Sequence, residues 1–132
     1  MSEIFSDILS ELNKVKGVKM TALGTRDGFL ISEGQNKKTF GIIISKYEND
    51  NSEIMTHMAA SMIQAAEKAA NQFNQLDKKS LNRVVVDFEG KKFIAASAGP
   101  KAVVSVLATQ DANLDPIIIE LERTVDRIQD II

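Results

Sequence analysis

The chain has 132 residues, which is enough for one domain with one hydrophobic core. Hydrophobic residues make up 44% and charged residues 26%, a globular balance that excludes a largely disordered chain. The formal net charge is -2, so nothing indicates electrostatic binding to nucleic acid or to anionic lipid. Cysteine is absent, which excludes disulfides, thiol catalysis and cysteine metal sites.

The amino-terminal segment does not have the composition of a targeting signal. Glu3 and Asp7 fall within its first nine residues, where a signal peptide needs a basic and then an apolar stretch. No apolar run approaches the roughly 20 residues that span a bilayer. The sequence therefore predicts a cytoplasmic protein with a single domain over residues 1–132.

The chain opens with a predicted helix followed by a hairpin. Apolar residues recur at helical spacing from Ile4 to Val15, and Gly17 can end this helix. Two apolar runs follow, Val18–Thr25 and Phe29–Ser32, separated by Arg26-Asp27-Gly28. Because Asp-Gly is a strong hairpin signal, these runs predict two antiparallel strands.

The segment from Glu33 to Asn51 is harder to place. Polar turn residues surround the run Phe40–Ser45, whose β-branched side chains favour a strand. We expect this run to form an extra edge strand, hairpinned onto the second strand.

The second half of the chain predicts a long helix, a three-stranded meander and a last helix. Glu89-Gly90 and Gly99-Pro100 are the turn signals within the meander, and connections this short require antiparallel pairing. Ser52 is a candidate cap for the long helix, and Asn113 or Asp115 for the last one. The predicted elements are a helix from Glu53 to about Leu76, strands Arg83–Phe88, Lys91–Ala98 and Ala102–Thr109, and a helix from about Leu114 to the end.

The strands of the meander are apolar on both faces. In an antiparallel sheet with one solvent-exposed face, apolar and polar residues alternate along each strand. Runs such as Ile94–Ala96 and Ala102–Val104 are apolar at every position and do not show this alternation. Three helices are available to cover the two faces. The chain is therefore predicted to be an α/β protein, an α+β sandwich whose central layer is an antiparallel sheet of five or six strands.

The long helix has more apolar surface than one sheet needs. Its apolar residues fill about 180° of a helical wheel, whereas a helix that packs on a sheet needs about 100°. One interpretation is a helix wedged deeply into its own core. The favoured one is a helix–helix dimer interface, where alanines permit close approach and methionines adapt to the contact.

Residues suited to catalysis are few. His57 is the only histidine and lies on the polar face of the long helix. Asp111 and Asp115 form a carboxylate pair more typical of a cap than of acid–base chemistry. Arg26, at the hairpin turn, could act as an arginine finger but is better explained as a turn residue. Since no phosphate-binding glycine loop is present either, we expect no enzymatic activity, no cofactor and no metal.

Four short segments carry a resemblance to a known family. They are Val15-Lys16-Gly17-Val18 at the first helix end, Asp27-Gly28 in the first hairpin, Ala65-Ala66-Glu67-Lys68 late in the long helix, and the connection from Thr109 to Leu114. With the order of elements, they make the whole chain resemble the roadblock family, the dynein light chain "roadblock" group and its prokaryotic relatives. The segment from Glu33 to Asn51 is longer than a minimal roadblock loop.

The resemblance implies a profilin-like fold with the long helix on one sheet face and the terminal helices on the other. It also implies a homodimer, with long helices side by side and third strands paired edge to edge, that activates or scaffolds a small Ras-like GTPase. The residues expected at the dimer interface are Met55, Ala59, Met62, Ala66, Ala70, Val84 and Val86. The residues expected to contact the GTPase are His57, Ser61, Gln64 and Lys68.

Two other function classes stay open. A sheet-and-helix domain of this size could be a ligand-sensing module of PAS-like or profilin-like type, or a structural subunit of a larger complex. A sensor needs a polar-lined cavity, whereas the inward positions of the long helix are Ile, Met, Ala and Phe. That composition favours a filled core and an interaction protein.

Overall fold

A computed structural model describes residues 2–34, 42–73 and 81–132, with side chains from residue 3 and, in the second range, from residue 51. Within these ranges a helix and two strands are followed by a long helix, three strands and a last helix. The elements are α1 (Ser2–Asn13), β1 (Val18–Thr25), β2 (Leu30–Glu33), α2 (Ile42–Phe73), β3 (Arg83–Phe88), β4 (Lys91–Ala98), β5 (Ala102–Thr109) and α3 (Leu114–Ile131). No helix in these ranges has both the length and the apolarity to cross a membrane.

The five strands form one sheet in the order β2-β1-β5-β4-β3. Every neighbouring pair is antiparallel. The first hairpin and the later meander join where β1 pairs with β5, from Val18 opposite Ala108 to Thr25 opposite Ala102. The pairing leaves β2 and β3 at the two edges, and it confirms the predicted antiparallel sheet in its five-stranded form.

One face of the sheet is covered by the two terminal helices. Leu9 and Leu12 of α1 and Leu121 and Ile128 of α3 are almost fully buried in this layer. The strand residues beneath them include Leu23, Ile94, Ala96, Val104 and Val106. Among the described side chains, this layer holds the larger of the two buried clusters, and burial of each large aliphatic side chain contributes about 2 kcal/mol.

The other face is covered by α2. Met55, Ala59 and Ile63 pack on Phe93 and Val103 of the sheet. The odd-numbered residues of β4 therefore face α2, and the even-numbered ones face α1 and α3. The predicted three-layer sandwich, with the long helix opposite the terminal helices, is confirmed.

The extra edge strand predicted over Phe40–Ser45 is wrong. Ile42 to Ser45 form the first residues of α2, which begins at Ile42 rather than near Glu53, while Phe40 and Gly41 lie outside the described residues. Helix growth adds one hydrogen bond for each residue that is fixed. A long helix can therefore extend over β-branched residues, whose propensity is only a weak preference.

Smaller boundaries also differ from the expectations. Ser52 lies inside α2 rather than at its cap, and its Oγ donates to Oε2 of Glu33 at 2.6 Å. Phe29 precedes β2 instead of opening it. Asn113 caps α3, since its Oδ1 accepts a hydrogen bond from the backbone N–H of Asp115. The predicted helix end at Leu76 lies outside the described residues.

Candidate interaction surface

The outward face of α2 presents the four residues expected to contact a GTPase. His57, Ser61, Gln64 and Lys68 are spaced by three or four residues, so they follow one another along a single helix face. All four are exposed. The structure thus leaves all four exposed on one side of the helix, and their contact with a GTPase stays a prediction.

The turn between β1 and β2 packs against two of these residues. Gly28 has a φ of +98°, and a Cβ placed on it would lie 2.8 Å from Nδ1 of His57. Further along α2, the Gln64 Nε2 donates to the backbone carbonyl of Arg26 at 3.0 Å. The turn and the helix face thus form one continuous surface.

Arg26 is held by side chains of both α2 and β4. Its guanidinium forms an ion pair with Glu67, and its Nη1 donates to Oγ of Ser97 at 3.2 Å. Only 23% of the Arg26 side chain is exposed, so the guanidinium does not project into solvent as an arginine finger would. This geometry agrees with a structural role for Arg26 in the turn.

Sequence reasoning missed this union of turn and helix. The hydrogen bond between Gln64 and Arg26 joins residues 38 positions apart. Asp27-Gly28 predicts a turn, but no local pattern indicates what the turn packs against. The opposite charges of Arg26 and Glu67 are a weak sequence signal for this contact. The sequence alone does not distinguish this ion pair from many other possible pairs of opposite charge.

The residues expected at the dimer interface separate into two groups along α2. Met55 and Ala59 are 5% and 1% exposed because they pack on the sheet of their own chain. Met62, Ala66 and Ala70 are only half-buried. The surface left for a second helix therefore lies on these last three residues, while the first two belong to the core.

Strand β3 supplies the other expected interface residues and is a sheet edge, since no other described strand pairs with its outer side. Val84 and Val86 face α2 and are half-buried, whereas Val85 on the opposite face is 43% exposed. The strand contains no proline, and its register against β4 runs without a bulge. It thus lacks these two devices that usually protect an edge.

The other edge, β2, is protected. It has four residues, and its register against β1 shifts between Leu23 and Gly24. The Ser6 hydroxyl donates to the backbone carbonyl of Glu33 at 2.9 Å, which satisfies an acceptor at the end of the strand. Of the two edges, β3 is therefore the less protected.

A groove of about 750 Å³ lies at the end of β4, between α3 and the turn that holds Arg26. Its described lining includes two arginines, and each already has a carboxylate partner: Arg26 pairs with Glu67, and Arg83 with Glu122 at 3.2 Å. Elsewhere in the described ranges, no group of three or more His, Asp or Glu side chains is arranged to hold a metal ion.

The comparisons with known proteins agree with this architecture. The family model of the Roadblock/LC7 domain matches residues 4–108. A Roadblock/LC7 domain from Streptomyces avermitilis is 19% identical, with a TM-score of 0.77 over 95% of this chain and 94% of that chain. The gliding protein MglB from Thermus thermophilus is 15% identical, with a TM-score of 0.79 over 98% of this chain and 89% of that chain.

Two further solved structures extend the comparison. MglC from Myxococcus xanthus is 16% identical, with a TM-score of 0.67 over the whole of both chains. Profilin II from Acanthamoeba castellanii has a TM-score of 0.56 at 12% identity over 98% of each chain, which places the fold among profilin-like sandwiches. No curated protein sequence matches the chain significantly. At these identities the solved structures establish the fold, and the family model, which spans most of the chain, establishes its family: this chain belongs to the Roadblock/LC7 domain family.

Proposed function

We propose that this chain is a non-catalytic, cytoplasmic homodimer that docks on a small Ras-like GTPase and regulates or scaffolds it. The observation that carries the proposal is the open edge of β3 beside a half-buried apolar flank of α2. Family membership supports the same role, since the resemblance to prokaryotic roadblock proteins implies a Ras-like GTPase as the partner. The similarity to MglB and MglC supports a regulatory or scaffold role of this kind.

The case for the dimer rests on apolar surface that one chain leaves partly uncovered. Met62, Ala66 and Ala70 line the flank of α2, and Val84 and Val86 continue it on β3. Pairing two β3 edges would bring these surfaces together and would satisfy the free backbone groups of the edge. Such an interface joins sheet pairing with helix packing, so it would cover both kinds of exposed surface at once.

The case for the docking face rests on its composition and its rigidity. Of the four residues His57, Ser61, Gln64 and Lys68, only Lys68 carries a formal charge, whereas a face selected only for solubility usually carries more charge. The turn behind it is fixed through Arg26 and Gln64. A fixed surface loses little conformational entropy when it binds, which favours association.

The dimer is tested by light scattering at micromolar concentration. A mass of about twice the 14.5 kDa of one chain is expected, and a monomer at every concentration would contradict the proposal. The substitution Ala66→Glu should weaken the dimer because it places an unpaired carboxylate on the half-buried flank. Asn71→Glu adds the same group at an exposed position of the same helix and should leave the mass unchanged. Circular dichroism of both variants confirms that they fold.

The docking face is tested with the Ras-like GTPases encoded in the same genome. The double variant Gln64→Ala/Lys68→Ala should bind its GTPase at least tenfold more weakly while staying dimeric. A matched control, Gln110→Ala/Lys16→Ala, removes the same two side-chain types from exposed positions elsewhere. Equal affinity of both double variants would move the docking site away from α2. Failure of the wild-type chain to bind any of these GTPases would overturn the proposed partner.

A further inference from the structure

We propose that two copies of this chain pair through β3 in one register, with Val85 on the two-fold axis and Arg83 of each chain opposite the partner's Asp87. The inference rests on the proposed homodimer and goes beyond it, because it specifies which residues meet. Its basis is the side-chain pattern of the six residues Arg83–Phe88, which alternate between two chemically different faces of the sheet.

The symmetry of the pair limits the possible registers. When a strand pairs antiparallel with a copy of itself, the two-fold axis is perpendicular to the sheet, so residues directly opposite each other point to the same face. Val84 and Val86 face α2, while Arg83, Val85 and Asp87 face the side of α3. An axis that passes between two residues would oppose side chains of different faces. The axis must therefore pass through a single residue.

Registers centred on Val85 or Val86 each keep five of the six residues of β3 paired, and the register centred on Val84 keeps three. With Val85 at the centre, Val84 lies opposite the partner's Val86, and Arg83 lies opposite the partner's Asp87. Valine meets valine on both faces, and opposite charges meet on the α3 side. Cross-strand pairs of both kinds stabilise a sheet.

The two alternatives lose the charge pairing within the strand. Centring on Val84 would place Arg83 opposite the partner's Val85 and would leave Asp87 beyond the start of the other strand. Centring on Val86 would place Asp87 opposite the partner's Val85. Arg83 would then face the partner's Glu89, which lies in the turn after the strand.

The exposure of these residues fits the chosen register. Val85 is 43% exposed in the single chain, which is unusual for a valine in the middle of a strand. Contact with Val85 of a second chain would bury this apolar surface. Asp87 is exposed and lies four residues from Arg83 along the strand, or about 13 Å, too far for the two to pair within one chain. Arg83 contacts Glu122 of α3 at 3.2 Å, which holds the guanidinium on the α3 side of the sheet, where the partner's Asp87 would arrive.

Single cysteines test the register directly, because the natural chain has none. In the proposed register only Val85→Cys places two thiols opposite each other, at a Cα separation of about 5 Å. Val84→Cys or Val86→Cys would place them about 8 Å apart, beyond disulfide reach. Mild oxidation should therefore link most Val85→Cys chains and few of the other two. Faster linkage at position 84 or 86 would overturn the register, and a dimer linked at none of the three would overturn the β3 seam itself.

Charge exchange is an independent test that does not depend on a disulfide. Arg83→Asp alone and Asp87→Arg alone place like charges opposite each other twice, and each should weaken the dimer by roughly tenfold or more. A mixture of the two variants should form heterodimers in preference to either homodimer, because every opposed pair is then of opposite sign. The double variant Arg83→Asp/Asp87→Arg should regain dimerisation.

The control for these variants is Glu122→Gln, which removes the intrachain partner of Arg83 without changing β3. It should alter dimerisation less than about threefold, the range of one exposed ion pair. Equal weakening by Glu122→Gln and Arg83→Asp, or no preference for heterodimers in a chain that is dimeric, would overturn the register and leave the dimer intact. A wild-type chain that is monomeric by light scattering would instead overturn the homodimer and the register together.

Discussion

The guanidinium of Arg26 and the carboxylate of Glu67 form an ion pair that fastens the turn between β1 and β2 to the long helix α2. The two residues lie 41 positions apart in the chain, and both side chains are partly shielded from solvent. The same arginine also bonds Ser97 of β4, and its carbonyl accepts from Gln64. One residue thereby connects three elements at the margin of the proposed docking face.

Removal of the Arg26 side chain should loosen this corner of the molecule. Arg26→Ala breaks the bonds to Glu67 and Ser97, and we expect a loss of about 1–2 kcal/mol in the free energy of unfolding. Urea denaturation at fixed protein concentration measures it. Lys14→Ala is the control, since Lys14 pairs with Glu11 in a more exposed i,i+3 contact and should contribute less than about 0.5 kcal/mol. Equal losses of unfolding free energy in both variants would show that the contacts of Arg26 with Glu67 and Ser97 do not stabilise the fold.

Alanine substitutions at Gly28 and Gly90 separate two contributions to the loss of stability, the strain of a positive φ and the steric contact of an added Cβ. Both have a positive φ, +98° and +87°, but a Cβ on Gly28 would lie 2.8 Å from Nδ1 of His57, whereas nothing lies within 4 Å of one on Gly90. Gly90→Ala should cost about 1 kcal/mol from the backbone alone. Gly28→Ala should cost about 1 kcal/mol more than that, because the His57 ring must move.

The measurement for this pair is thermal or urea unfolding of both alanine variants. In the double variant Gly28→Ala/His57→Ala the excess cost should largely disappear, because the ring is gone while the backbone strain remains. If the two glycine variants lose the same stability, the turn does not press against α2 as the structure indicates.

Ile63 reports on the packing of α2 against the sheet. Its side chain is fully buried beside Met55 and Phe93. Ile63→Ala should lower the free energy of unfolding by about 2–5 kcal/mol, since it removes buried contacts and leaves a cavity. Ile54→Ala makes the same chemical change at a position that is 56% exposed and should change stability by less than about 0.5 kcal/mol. Comparable losses would mean that the helix is not seated on this face.

The sequence predicted most of the fold because the signals were local. Apolar periodicity located the first helix, turn residues such as Asp27-Gly28 and Glu89-Gly90 located the hairpins, and strands apolar on both faces required a covered sheet. The error at Phe40–Ser45 came from reading β-branched residues by propensity where the helix continues.

The candidate surface was less accessible to such reasoning. Helical spacing placed His57 and Gln64 on the outward face, but their contacts with Gly28 and Arg26 join distant parts of the chain. Likewise, a position on the apolar side of a helical wheel predicts that a residue is buried. It does not predict whether the same chain or a partner chain buries it. Met55 and Ala59 were therefore expected at a dimer interface, although they lie in the core of their own chain.

Gly24 of β1 lies against Thr56 of α2, with no room for a side chain between them. A Cβ at this position would lie 2.1 Å from Cγ2 of Thr56 and 2.9 Å from the backbone carbonyl of Phe29. The backbone of Gly24 does not have a positive φ, so the cost of a side chain is steric rather than conformational. We expect Gly24→Ala to lose about 3 kcal/mol, because a packed helix and a hydrogen-bonded turn must both shift.

A second substitution identifies the Thr56 methyl as the main obstacle. Thr56→Ser deletes Cγ2 but keeps the hydroxyl that donates to the Ser52 carbonyl at 2.8 Å, and alone it should cost about 1 kcal/mol. The double variant Gly24→Ala/Thr56→Ser should be more stable than the sum of the two losses predicts, with a coupling of about 1–2 kcal/mol measured by urea denaturation. The rescue should stay incomplete, since the Phe29 carbonyl still meets the new methyl group. Strictly additive losses would show that β1 and α2 do not approach each other at these two residues.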